Sequence, residues 1–271
     1  MPPRRRSGAR RSGASEAGTW ALFAVVAALI LVLASGFIWL RMAADKRPVL
    51  EKGTLCPVDG ARSTTIVLLD TSDEWPEITR AEVRKRLEDI SADIPDYGLL
   101  ELRLLDPSKP GGRIMFSACN PGDGSNLSEI IGNPRLAHKV WLEQFNTPLQ
   151  AALDKTMVTS ETTSSPILST IQRIAVDRFE SDTPGRLIVI SDMIEHMPPD
   201  YSQYTGDLSY DHYKQTAAYK KQHTNLEGVA VTIFYVQRLR MDSGKHIRFW
   251  TDWIADNSGV LAQAVKLQGA D

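Results

Sequence analysis

Residues 64–75 read TTIVLLDTSDEW, an apolar run that ends abruptly in Asp70, Thr71, Ser72, Asp73 and Glu74. No basic residue lies near enough in sequence to balance its acids. A second apolar run, residues 185–192 (GRLIVISD), ends in Ser191 and Asp192. Between them lies ETTSSPILSTIQRIA, a cluster of hydroxyls at the start of a helical pattern. Carboxylates and hydroxyls at strand ends suit two chemistries. Hard cations such as Mg2+ accept a shell of carboxylate, hydroxyl and water oxygens. Alternatively, an Asp at a strand end acts as a nucleophile in phosphoryl transfer, with a second acid as proton donor.

The elements that must position these groups can be read from periodicity. The continuous apolar runs at 63–70 and 185–192 are strands buried on both faces. A helix is predicted over 77–94, where Val83, Leu87, Ile90 and Ile94 share a face. LLELRLLD (99–106) alternates as a strand should; PSKPGG then turns the chain into RIMFSAC, giving an antiparallel hairpin. Helices are predicted over 136–153 and 166–179, a further helix up to residue 223, a strand over 228–239, and a C-terminal helical region around HIRFWTDWIAD. Its RFWTDW reads as core packing. Strands alternating with helices predict an α/β fold: a mostly parallel central sheet, Rossmann-like, flanked by helices on both faces. In such sheets ligands bind beyond the carboxyl ends of the strands, where the strand order reverses.

Other chemistry is sparse. The five histidines are scattered without an H-E-x-x-H pattern, and neither a Walker A nor a G-x-S-x-G motif occurs. Glu195 and His196 follow Asp192 closely and are expected at the rim of its site. The segment 197–213 brings Tyr201, Tyr204, Tyr210 and Tyr213 with prolines and acids, as a recognition surface or as a cover packed on its own domain. Tyr201 and Tyr204 are counted with the rim. A formal net charge of −2 over 271 residues gives no reason to expect a nucleic-acid partner.

The N-terminal part is of another kind. Residues 1–18 carry five arginines among Ser, Gly and Ala and read as a disordered basic tail. Residues 20–40, WALFAVVAALILVLASGFIWL, hold no charge. At about 1.5 Å per residue such a helix spans a hydrocarbon core of roughly 30 Å. The run is too long for the apolar core of a cleaved signal, and no A-x-A-like site follows, so residues 19–41 are expected to be an uncleaved transmembrane anchor. The excess of arginines before it places the N-terminus in the cytoplasm and the rest outside, as in a single-pass inner-membrane protein with a periplasmic or extracellular domain. Residues 42–60 read as a linker and 61–271 as one domain. Both cysteines, Cys56 and Cys119, lie beyond the anchor. In an oxidising compartment the hairpin would allow them to pair; two separate buried thiols are the alternative.

At this point the chain resembles the von Willebrand factor A (VWA) family. Asp70 and Ser72 match the first two positions of its D-x-S-x-S motif, Ser165 stands where a helix-start Thr is usual, and Asp192 matches the late strand-end Asp. The resemblance implies a metal-ion-dependent adhesion site for Mg2+ (or Ca2+ or Mn2+) held by Asp70, Ser72, Ser165 and Asp192, and a protein-interaction module rather than a catalyst. Two departures stand out: Met193 replaces the usual Gly, and Glu74 replaces the second Ser, where it would either complete the cation site or disable it. The alternative, a haloacid-dehalogenase-like phosphotransferase with Asp70 as nucleophile, lacks its second acid, because Ser72 stands there.

Overall fold

In the computed structural model the described residues are 14–44, 48–127, 132–157, 162–179, 183–205, 207–239 and 241–270. They form two units, one with the N-terminal helix and one beginning at Pro48. Helix α1, Ala14–Ala44, contains an apolar stretch, Gly18–Met42, long enough to cross a membrane. No side chain of that stretch is buried in the protein; Leu31, for example, is 69% exposed. The tail expected to be disordered lies largely outside the described residues, apart from 14–18, which are helical.

The domain is built on the apolar runs. Strands β1 (Thr64–Leu69), β2 (Leu99–Leu104), β3 (Arg113–Cys119), β4 (Gly185–Ser191), β7 (Val229–Arg238) and β8 (Val260–Ala270) form one six-stranded sheet in the order β3-β2-β1-β4-β7-β8. Only β3 runs antiparallel to its neighbour. A two-stranded ribbon, β5 (His196–Met197) with β6 (Tyr201–Ser202), follows β4.

Alternate residues of each central strand serve opposite layers. Ile66, Leu68, Leu187 and Val189 pack with α5 (Ile167–Arg178) and α8 (Ser243–Asp256). Val67, Leu69, Ile188 and Ile190 pack with α2 (Glu77–Ala92) and α4 (Thr147–Thr156). The short helices α6 (Tyr210–Tyr213) and α7 (Ala217–Lys221) add Tyr213 and Ala218 to the first layer. The α/β sheet with helices on both faces is therefore as expected.

Three local readings change. The single helix predicted over 136–153 is α3 (Pro134–Trp141), a π-helical turn (Leu142–Asn146) and α4. Pro148, near the start of α4, has no N–H to continue the α pattern. The polar positions of the alternating strand β2 are buried too: Glu101 and Arg103 pair at 2.5 Å, and Glu101 also takes Arg178 and Ser117. Ion pairing, rather than solvent, satisfies its polar face. The C-terminal region is not helical throughout, because after α8 the chain adds β8 alongside β7. The backbone of β7 supplies the pairing groups that an Ala- and Gln-rich segment does not advertise.

Residues 48–60, read as linker, are fastened to the sheet. Leu50 bridges Pro57, the Cys119 N–H donates to the Thr54 carbonyl (2.8 Å), and Cys56 forms a disulfide with Cys119, Cα to Cα 4.8 Å. The β2–β3 hairpin sets this up by pairing Leu99 with Cys119, at the end from which β1 also starts.

Candidate functional site

Strand β1 has β2 on one side and β4 on the other, so the strand order reverses between β1 and β4. Asp70 leaves β1 at this point, its N–H donating to the Ile190 carbonyl (2.9 Å), and Asp192 follows β4. Both carboxylates are buried.

Hydroxyls surround Asp70. Its Oδ1 accepts from Ser72 Oγ (2.6 Å) and Ser72 N–H (3.1 Å); its Oδ2 accepts from Ser191 Oγ (2.8 Å) and Ser165 Oγ (3.1 Å). Ser165 is not the N-cap of α5; that position is Pro166, which leaves the Ser165 hydroxyl free to reach Asp70. Reciprocal backbone hydrogen bonds between Ser165 and His196 hold it there (2.9 and 3.0 Å).

Asp192 is arranged differently. Its Oδ1 accepts from the Ile194 N–H (3.0 Å), and its Oδ2 from Arg238 Nε (2.8 Å). Arg238 Nη2 reaches on to Asp73 Oδ2 at 2.5 Å. Burial, then the Asp70 charge, push the Asp192 acid up to about 6, against the Ile194 N–H and the guanidinium. Arg238 is the residue that sequence reasoning missed. It stands at the end of β7, 46 positions from Asp192 and 165 from Asp73, and supplies the positive charge absent near Asp70 in sequence. The available signal was that this apolar strand ends in a cation where two others end in acid.

The positions implied by the resemblance thus divide. Asp70, Ser72 and Ser165 are joined by direct hydrogen bonds, and Asp192 leaves the adjacent strand and pairs with Arg238. Glu74 is exposed. Met193 takes a left-handed conformation, φ 61°, where glycine is usual. It is held by Ser191 Oγ on its N–H (2.7 Å) and Trp250 Nε1 on its carbonyl (2.9 Å).

The rim residues also separate. Glu195 is fully buried, its Oε2 accepting the Leu168 N–H at the start of α5 (2.8 Å). Burial drives its acid up to about 8, the backbone N–H groups of Leu168 and Ile167 opposing. It is a buried helix cap rather than a rim group. Tyr201 is likewise core, packing on Tyr213 and Phe249. His196 is half-buried, its Nδ1 2.7 Å from Ser202 Oγ, with Tyr204 edge-on to its ring. Tyr204 is 59% exposed. The tyrosine-rich segment is part cover and part surface. A cleft of about 1200 Å3 opens beside Asp73 and Arg238, bounded also by Tyr204, Asp207, Lys214 and Arg248.

A divalent cation does not fit this donor set as it stands. Both Asp192 oxygens already accept hydrogen bonds, one of them from a guanidinium. Among the described residues no three His, Cys, Asp or Glu side chains gather to hold a metal.

Sheet order and switch-point site define an open α/β module with a mostly parallel sheet, in a chain whose N-terminal helix is long and apolar enough to cross a membrane. No family model and no curated protein matches the chain. Among solved structures it is similar to the conserved hypothetical protein BatB from Bacteroides thetaiotaomicron, at 15% identity over 77% of this chain and 91% of that one, TM-score 0.37. It is also similar to an aerotolerance-related membrane protein from Bacteroides fragilis carrying multiple mutations to serine, at 12% identity over 76% and 91%, TM-score 0.34. At such values the fold assignment rests on the sheet itself.

Proposed function

We propose that this chain is a membrane-anchored protein-interaction module, used for adhesion, scaffolding or assembly, that engages its partner at the carboxyl end of the sheet. The carrying observation is the state of that end. Its acids are held by hydroxyls, backbone N–H groups and one arginine, and beside them lies an open cleft with an exposed tyrosine and charges of both signs. Such mixed polar and aromatic surfaces suit protein recognition. Helix α1 would serve as the anchor. The Cys56–Cys119 disulfide supports an oxidising location for the domain, and the arginine bias a cytoplasmic N-terminus.

The test is site-specific photocrosslinking of the full-length chain in its native membrane. A photoreactive residue at Tyr204 should give a discrete protein adduct; one at Val176, 70% exposed on α5, should not. The same adducts from both positions, or none from Tyr204, would rule out this recognition surface.

A further inference from the structure

Two buried carboxylates at neighbouring strand ends need a compensating cation, a proton or dense hydrogen bonding. The resemblance to metal-dependent adhesion sites implies a divalent ion. The residues present provide something else. Pairing of β7 with β4 sets Tyr235 beside Ser191, and three residues further on Arg238 reaches back to the acid that follows β4. Its Nε is 2.8 Å from Asp192 Oδ2, and Nη2 is 2.5 Å from Asp73 Oδ2. With only 22% of its side chain exposed, the guanidinium is held from both ends: by a buried acid, and by one that is 46% exposed. Planar, permanently charged and weakly hydrated, arginine suits such a two-carboxylate bridge better than lysine.

The other donors agree. The hydroxyls of Ser72 and Ser165, which would face an ion, both donate to Asp70, and Ser191 adds a third. The second Asp192 oxygen takes the Ile194 N–H. All four oxygens of the two buried acids therefore have partners supplied by the chain. An ion ligated directly by Asp192 would sit against the guanidinium, and like charges at that range repel strongly in a poorly solvated site.

We propose that Arg238 is the resident cation of this site: a guanidinium tethered to β7 takes the charge-balancing place of a divalent ion. The site is then assembled without metal and admits one only when the guanidinium is removed. Exposed Glu74 is not needed to close it, since the charge balance is supplied by Arg238.

The experiment follows Mn2+ binding to the full-length chain in detergent micelles, by electron paramagnetic resonance of the free ion and by thermal unfolding with and without Mn2+. The unmodified protein should take up no Mn2+ at micromolar concentrations, and its Tm should not move. Arg238→Ala and the gentler Arg238→Gln should bind one Mn2+ per chain at least about tenfold more tightly than the parent. Adding Asp192→Asn to either should abolish the gain, and Arg238→Lys, which keeps the charge, should remain metal-free. Micromolar, stoichiometric uptake by the unmodified protein would overturn the proposal without any variant. So would folded Ala or Gln variants that bind no more tightly than the parent, because Arg238 would then be an ordinary ion-pair partner. Should both fail to fold, the unmodified protein and the Lys variant decide: both metal-free supports the proposal, uptake by either overturns it.

Discussion

Replacing Glu195 with glutamine should flatten the pH dependence of stability above neutrality. Glu195 is fully buried, its Oε2 caps α5, and its Oε1 has no hydrogen-bond partner among the described residues. Burial holds its acid near 8, against an ordinary value of 4.5, with the Asp70 charge a minor contributor in the same direction. Over that interval the folded protein keeps a proton that the unfolded chain releases. Stability is therefore greatest at low pH as far as this group is concerned, falls as pH rises toward 8, and is level above. The whole interval corresponds to about 5 kcal/mol, and the part between pH 6.5 and 8 to about 2 kcal/mol. The upper part is the clean window. Below it His246, held by burial down to about 4 from 6.5, works with the opposite sign, its contribution being lost as pH falls. Asp192 also titrates there. The assay is urea unfolding of the full-length chain in micelles, read by the fluorescence of the buried Trp250 and Trp253. The parent should lose about 2 kcal/mol between pH 6.5 and 8. Glu195→Gln keeps a carbonyl oxygen for the Leu168 N–H and should show no such slope. An equal slope in both proteins, or a flat parent, would refute the assignment of a buried neutral acid to this position.

The disulfide joins cysteines 63 positions apart, so replacing Cys56 and Cys119 with serine should cost about 4 kcal/mol in denaturant unfolding. A loss below about 1 kcal/mol would mean that the reduced chain stays constrained by other means. Glu74→Ser restores the residue usual in the family motif, but Glu74 is exposed. Stability should change by no more than about 0.5 kcal/mol, and calorimetric titration should detect no gain in Mn2+ affinity while Arg238 is in place. A Mn2+ site created by this change alone would show that Glu74, not Arg238, excludes the ion.

Much of this protein follows from local pattern. The apolar runs at 66–69 and 187–190 could be buried only on both faces, which requires helices on each side of a sheet. Once these runs are central strands, Asp70 and Asp192 must emerge at its carboxyl end. Residues 20–40 hold no charge and leave no polar face for a soluble helix. The hairpin brought Cys119 toward Cys56 because strand direction and turn position are themselves local.

What only the tertiary structure decided concerns partners. Periodicity says that one side of β2 is polar, but not that Arg178 would cover it and bury Glu101. It marks Glu195 as an acid near Asp192, but not that the N-terminus of α5 would pack over it. It cannot reveal that the segment after α8 pairs with β7, because a ladder is completed by backbone groups that every sequence carries. The sharpest case is the acidic strand end itself. Its balancing charge is Arg238, which only the lateral pairing of β7 with β4 brings to Asp192 and Asp73. Charges interact through space and not along the chain, so the order of strands in the sheet, rather than any motif, settles what neutralises this site.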